Sequence, residues 1–182
     1  MLPRFDEKKT TQIAGMLLRL RGTKRMHYLK LMKLMYLIDR ASLLRWGWSM
    51  TGDKYVSMVH GLVLSNTLNL ITQERFGKSY WKDHVSAPLG EYEVELRQEP
   101  EDDELSQAEI DLIEEVYKQF GHKNRWRLRD YTHQLPEYVP TEGPSVTVPY
   151  SSVMKGEKMS DEQVEEILSD LHGMGALEKL TR

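Results

Sequence analysis

The sequence predicts a mainly α (α+β) protein: one compact unit of about six helices with a small antiparallel β-hairpin or sheet. Three observations predict it. Apolar residues recur at helical spacing through most of the chain, two short stretches alternate at period two, and two capping-box signatures open helices in the second half. The 182 residues fit a single domain whose core needs no covalent or metal staple, so residues 1–182 are read as one domain.

Ile13, Met16, Leu17 and Leu20 follow i, i+3, i+4, i+7, which places one apolar stripe on a first helix expected to stop at Gly22. Residues 28–38 are apolar on nearly every face, as suits a central helix packed on several sides. Its charges, Lys30, Lys33, Asp39 and Arg40, must reach an edge or find partners, because an unpaired buried charge is too costly to keep. Beyond Trp46-Gly47-Trp48, Thr51-Gly52-Asp53 marks a turn and residues 55–59 alternate like a short strand. A helix is expected over 62–71, closing at Gly77. Residues 90–97 alternate acidic with apolar side chains and read as an exposed-face strand, followed by a solvated acidic linker over 99–104.

In the second half, Ser106-Gln107-Ala108-Glu109 opens a helix running to Gly121, and Ser160-Asp161-Glu162-Gln163 opens another expected to end at Gly173. A short helix around 126–132 and a proline-marked loop over 136–149 lie between them. The chain carries no internal repeat and no low-complexity tract.

The absence of cysteine excludes a disulfide framework, thiolate zinc, iron–sulfur clusters and a cysteine nucleophile, and suits a reducing, cytoplasmic setting. The first nine residues lack the apolar stretch of a signal peptide, and no later run approaches the roughly 18 apolar residues of a membrane span, so neither export nor membrane insertion is expected. The net charge of −3 is unevenly placed. Residues 1–50 hold eleven basic side chains against Asp6, Glu7 and Asp39, which is +8 there and −11 over the remainder.

Compact catalytic signatures are missing: no phosphate-cradling glycine loop, dinucleotide fingerprint, nucleophile elbow or zinc-hydrolase helix occurs. Neither a catalytic residue, nor a metal site, nor a cofactor is expected. Of the six scattered histidines only His133 has a partner at helical spacing, Asp130, which could face one ligand or serve as a cap or buried hydrogen bond. Trp46, Trp48, Trp81 and Trp126, together with Tyr80, Tyr131 and Tyr138, suit core packing or an interface anchor. The cluster Arg19, Arg21, Lys24, Arg25, Lys30 and Lys33 could pair internally with the acidic remainder, dock an acidic protein, or meet nucleic acid. Arg125, Arg127 and Arg129 alternate around Trp126, but on a helix they spread over several faces.

Several segments together resemble a family. They are Lys30-Leu31-Met32-Lys33-Leu34-Met35-Tyr36-Leu37-Ile38-Asp39-Arg40, Thr51-Gly52-Asp53-Lys54-Tyr55-Val56-Ser57-Met58-Val59-His60-Gly61, Val63-Leu64-Ser65, Ser79-Tyr80-Trp81-Lys82-Asp83-His84, Leu105-Ser106, Phe120-Gly121 and Leu128-Arg129-Asp130-Tyr131-Thr132-His133. In this order they resemble the Panacea domain of SocA-like antitoxins of bacteria and their phages. One departure stands out: the family usually places proline after the central glycine, where this chain has Gly61-Leu62. The resemblance implies a non-enzymatic antitoxin of a two-gene toxin-antitoxin pair that captures a cognate protein toxin encoded by an adjacent gene, with a proteolytic-adaptor role known in one member. The partner surface is expected among Arg21, Lys24, Arg25, His60, Gly61, Trp81, His84, Trp126 and His133, with the basic residues steering and exposed aromatics anchoring. A nucleic-acid-binding regulator using the basic N-terminal region is the alternative, and an enzyme built on Asp130 and His133 is a third reading.

Overall fold

The computed structural model describes residues 2–72 and 78–180. Helix α1 (Glu7–Leu20) begins earlier than its apolar stripe because Asp6 caps it, accepting the Lys9 N–H at 2.9 Å. It ends ahead of Gly22, whose φ of +81° turns the chain. Strand β1 (Arg25–His27) follows, and the His27 ring then caps α2 (Tyr28–Trp46) by accepting the Leu29 N–H. Gly47, in the left-handed conformation, closes α2.

The expectation of a helix packed on several sides holds for α2. Leu31, Met32, Leu34, Met35, Tyr36 and Ile38 are all buried. Its charges find partners. Lys30 donates to the Gly121 carbonyl at 2.6 Å and Lys33 to that of Leu62 at 2.7 Å. Asp39 accepts from Ser49 Oγ, Tyr55 OH and the Thr51 N–H, while burial still pushes its carboxyl above the usual range. Arg40 pairs with buried Glu137 at 2.6 Å.

Strands β2 (Tyr55–Met58) and β3 (Gly61–Leu64) form an antiparallel hairpin. Here the expected helix over 62–71 is corrected: residues 62–64 are strand, and the helix, α3 (Ser65–Thr72), starts only at Ser65. An all-apolar run fits either state, and pairing with β2 decides it. The start of α3 is fixed by Asp53, whose carboxylate accepts the N–H groups of Asn66 and Thr67 at 2.8 Å each. The expected stop at Gly77 lies outside the described residues.

Helix α4 (Tyr80–His84) is followed by β4 (Glu93–Glu95), which is shorter than the expected strand. Its partner is β1 rather than a neighbouring hairpin strand, with Met26 opposite Val94. Helix α5 (Gln107–Phe120) carries the reciprocal Ser106–Glu109 capping box. Helix α6 (Arg125–His133) is capped by Asn124, which accepts the N–H groups of Trp126 and Arg127.

Within the expected 136–149 loop lies β5 (Val146–Val148), which joins the second sheet in the order β3-β2-β5. Two helices finish the described chain, α7 (Tyr150–Gly156) and α8 (Asp161–Leu180). The Ser160–Gln163 box opens α8 through bonds of 3.0 and 3.2 Å. The helix runs straight through Gly173, which keeps a right-handed backbone and so stops nothing. The described residues therefore hold eight helices rather than six, with two small antiparallel sheets. Their architecture is mainly helical with a minor β component, as predicted. None of the described helices is long and apolar enough to cross a membrane.

Around α2 the other elements close a continuous apolar core: α1, α5, α6, α7 and β3 all pack on it. Met16, Met32 and Met35 fill irregular spaces in that core, as expected of an unbranched, polarizable side chain.

Candidate functional site

Seven of the eleven basic residues in the first fifty fold back onto carboxylates. Lys8 pairs with Asp103, Lys9 with Glu109, Arg19 and Lys24 with Glu99, Arg25 with Glu95, Arg40 with Glu137 and Arg45 with Glu115. The acidic stretch 99–104 thus acts as an internal counter-ion, holding Lys8, Arg19 and Lys24. Arg21, Lys30 and Lys33 have no carboxylate partner among the described residues.

Helix α6 gathers most of the sequence-predicted partner residues. It rises about 13 Å over its nine residues. At its N-terminal end Arg125 joins Arg21, Arg25, Lys30 and Lys123 around a cleft of about 250 Å³. Next to it Trp126 is 45% exposed, and the guanidinium groups of Arg125 and Arg129 each lie 5.0 Å from its ring centroid. The two cations hold the indole in place from their own helix, so the ring presents apolar area already fixed in orientation.

At the other end of α6, His133 stacks on Tyr138 with ring centroids 4.3 Å apart and planes at 8°. It lies against Gly61, which takes φ +89°. A Cβ at Gly61 would sit 2.8 Å from both His133 Cδ2 and Thr132 Oγ1, so only glycine fits this crossing of β3 and α6. Exposed His60 precedes it. Beneath lies Lys33, whose pKa is pushed down to about 7 by burial, with Arg129 adding repulsion. Burial also lowers His133, and Lys33 and Arg129 reinforce it. His133 Nε2 is buried with no hydrogen-bond partner among the described residues.

Asp130 and His133 do not form the shared pair their spacing allowed. Asp130 accepts two N–H groups of Arg129, at 2.6 and 2.8 Å, while His133 is turned to Gly61 and Tyr138. Leu62, where the family pattern has proline, opens no helix. It is a buried strand residue whose carbonyl receives the Lys33 ammonium.

Three predicted residues lie elsewhere. Lys24 is held by Glu99 at 2.7 Å. Trp81 is fully buried and His84 nearly so, which corrects the expectation that Trp81 is an exposed anchor. The cause is α4, which packs on α1: Glu7 accepts the Ser79 hydroxyl and the Trp81 backbone N–H, fixing the start of α4 so that the indole enters the core. The His84 ring packs on Tyr80 at 4.2 Å, with Nδ1 2.8 Å from the Tyr80 carbonyl. Sequence reasoning missed Lys123 at the cleft, and it named Tyr138 among the aromatics without placing it under His133. Both sit in loops flanking α6, and only the run of basic residues from Lys123 to Arg129 hinted at the first.

The residues that converge here, Lys33, His60, Gly61, Trp126 and His133, fall within the stretch that a known family matches. The family described as Antitoxin SocA-like, Panacea domain, covers residues 31–137, more than half of the sequence. The chain belongs to that family. No curated protein and no solved structure matches the chain. Within the Panacea match lie α2 from Leu31 onward and α3 through α6, including the Gly61–His133 crossing and Trp126, whereas Arg21, Lys24 and Arg25 precede it.

Proposed function

We propose that this Panacea protein is a cytoplasmic antitoxin that neutralises a cognate protein toxin, encoded by an adjacent gene, by binding it directly. Residues 1–182 act as one unit in this reading, and the protein makes or breaks no bonds of its own. The observation that carries it is the exposed face of α6, where two guanidinium groups lie against the Trp126 ring inside the family-matched stretch. A large ring fixed in its bound orientation loses little entropy on docking, and the surrounding arginines attract acidic or polar partner groups. His60 and His133 extend this face at its far end, and Arg21 and Arg25 at its near end. Delivery of the captured toxin to a protease is compatible with the same surface.

Co-expression with the adjacent open reading frame tests the reading. The neighbour should arrest growth alone and become harmless in the presence of this protein. Trp126→Ala should weaken complex formation by about 10- to 100-fold at unchanged folding stability, since the ring contributes little to the core. A harmless neighbour, or one that stays toxic beside abundant folded protein, refutes the proposal. The nucleic-acid reading has less support, because carboxylates of the chain itself occupy most of the basic N-terminal side chains.

A further inference from the structure

We propose that the cleft at the N-terminal end of α6 binds a phosphate group, either as inorganic phosphate or as the end of a small phosphomonoester. Four separate segments supply its walls: Arg21 at the end of α1, Arg25 on β1, Lys30 on α2, and Lys123 with Arg125 at the turn into α6. Glu93 is the one acidic residue lining it among the described residues. Of these cations only Arg25 has a carboxylate partner among the described residues, Glu95 at 3.0 Å.

Two of the groups have unused hydrogen-bonding capacity. Lys30 is nine-tenths buried, yet its ammonium makes one hydrogen bond, to the Gly121 carbonyl. Arg125 Nε is buried with no acceptor among the described residues. The cations also repel one another: Arg21 adds to burial in lowering the pKa of Lys30, and Arg125 does the same to neighbouring His27. A folded protein that crowds unpaired positive charge around a concavity is stabilised by any anion that enters it.

The cluster fits a phosphate better than a side-chain carboxylate. A carboxylate has two oxygens and one charge, which one arginine satisfies. A phosphate offers more oxygens and up to two charges, and arginine forks match its edges. The positive end of the α6 dipole adds to the same space, while the Trp126 and Arg127 N–H groups stay bonded to Asn124. A cleft of about 250 Å³ accepts the phosphate group and leaves any attached ester outside. This site stands independently of the antitoxin reading, because it requires no protein partner.

The test is a titration of the isolated full chain with sodium phosphate, followed by amide chemical shifts and thermal unfolding, with ionic strength held constant by sodium chloride. Saturable shifts should appear at residues 25–27 and 123–125, with a Kd of about 0.1–10 mM and a rising Tm. The double variant R21A/R125A should weaken binding about tenfold or more, while R45A, held by Glu115 elsewhere, should bind as the parent does. Arg125→Lys gives a second reading with charge retained, and the loss of the fork should still weaken binding. Adenosine monophosphate distinguishes the source: equal affinity assigns the site to free phosphate, and tighter binding to a phosphomonoester. Shifts that stay linear, or an R21A/R125A affinity equal to the parent's, would overturn the proposal. So would a short DNA duplex that saturates the same amides where phosphate does not.

Discussion

Replacing Lys33 by methionine removes a cost that depends on pH. The side chain is fully buried, its ammonium holds only the Leu62 carbonyl among the described residues, and burial lowers its pKa from 10.5 to about 7. Below pH 7 folded and unfolded chains both carry the proton, so the cost is constant and maximal. Between about pH 7 and 10.5 the unfolded chain holds the proton and the folded one has released it, so stability rises with pH. At about 1.4 kcal/mol per pH unit, the shift of about 3.5 units caps the cost at about 5 kcal/mol, of which about 2 kcal/mol disappears between pH 7 and 9. Lys33→Met also leaves the Leu62 carbonyl without its donor, an offset of about 1–3 kcal/mol that does not vary with pH. The readout is therefore the slope. Urea unfolding of both proteins at pH 7, 8 and 9 should show the parent gaining about 2 kcal/mol on the variant. His133, lowered below its usual value, is neutral throughout this window, and the lowered Lys30 is common to both proteins. Parallel stability profiles would refute the assignment of a buried, weakly basic lysine.

Gly61→Ala places a Cβ 2.8 Å from Thr132 and His133 at φ +89°, and should cost about 2–4 kcal/mol by urea unfolding. Gly143→Ala, with open space around it, serves as the control and should change stability by less than about 0.5 kcal/mol. Trp81→Ala should lose about 3–5 kcal/mol of stability, because the whole indole is buried, yet leave the affinity of the folded fraction for a toxin partner unchanged. A Trp81 variant of parental stability that fails to bind would reverse the placement of this residue.

Elements whose cause is local were legible in the sequence. The apolar density of α2 announces a helix surrounded by others, and the capping boxes at Ser106 and Ser160 announce the starts of α5 and α8. Elements whose cause is distant were not. Strand β1 exists because residues 93–95 lie beside it, β5 because β2 has a free edge, and α3 starts at Ser65 because Asp53 reaches over to cap it. The same division runs through the site. His60, Gly61 and His133 were each named, but nothing local places a glycine against a histidine 72 positions away. Trp126 and Trp81 look alike as letters, and the difference lies in Glu7, which fixes the start of α4 through Ser79 and the Trp81 backbone N–H. Charge counting gave the cluster around Arg21 and internal pairing as one of its readings, but not which carboxylates pair, because those responsible lie 70 or more residues downstream.

The matched span of 107 residues is smaller than the body that folds. Ile13, Leu17 and Leu18 before it, and Val148, Tyr150, Val153, Met154, Val164 and Leu171 after it, are all buried in the common core. The middle strand β2 borrows one of its two neighbours, β5, from beyond residue 137. Excised at its match boundaries, this polypeptide would present a bare strand edge and a stripped helix to its own copies, the conditions for self-association. Anyone transplanting the fold must carry its flanks along.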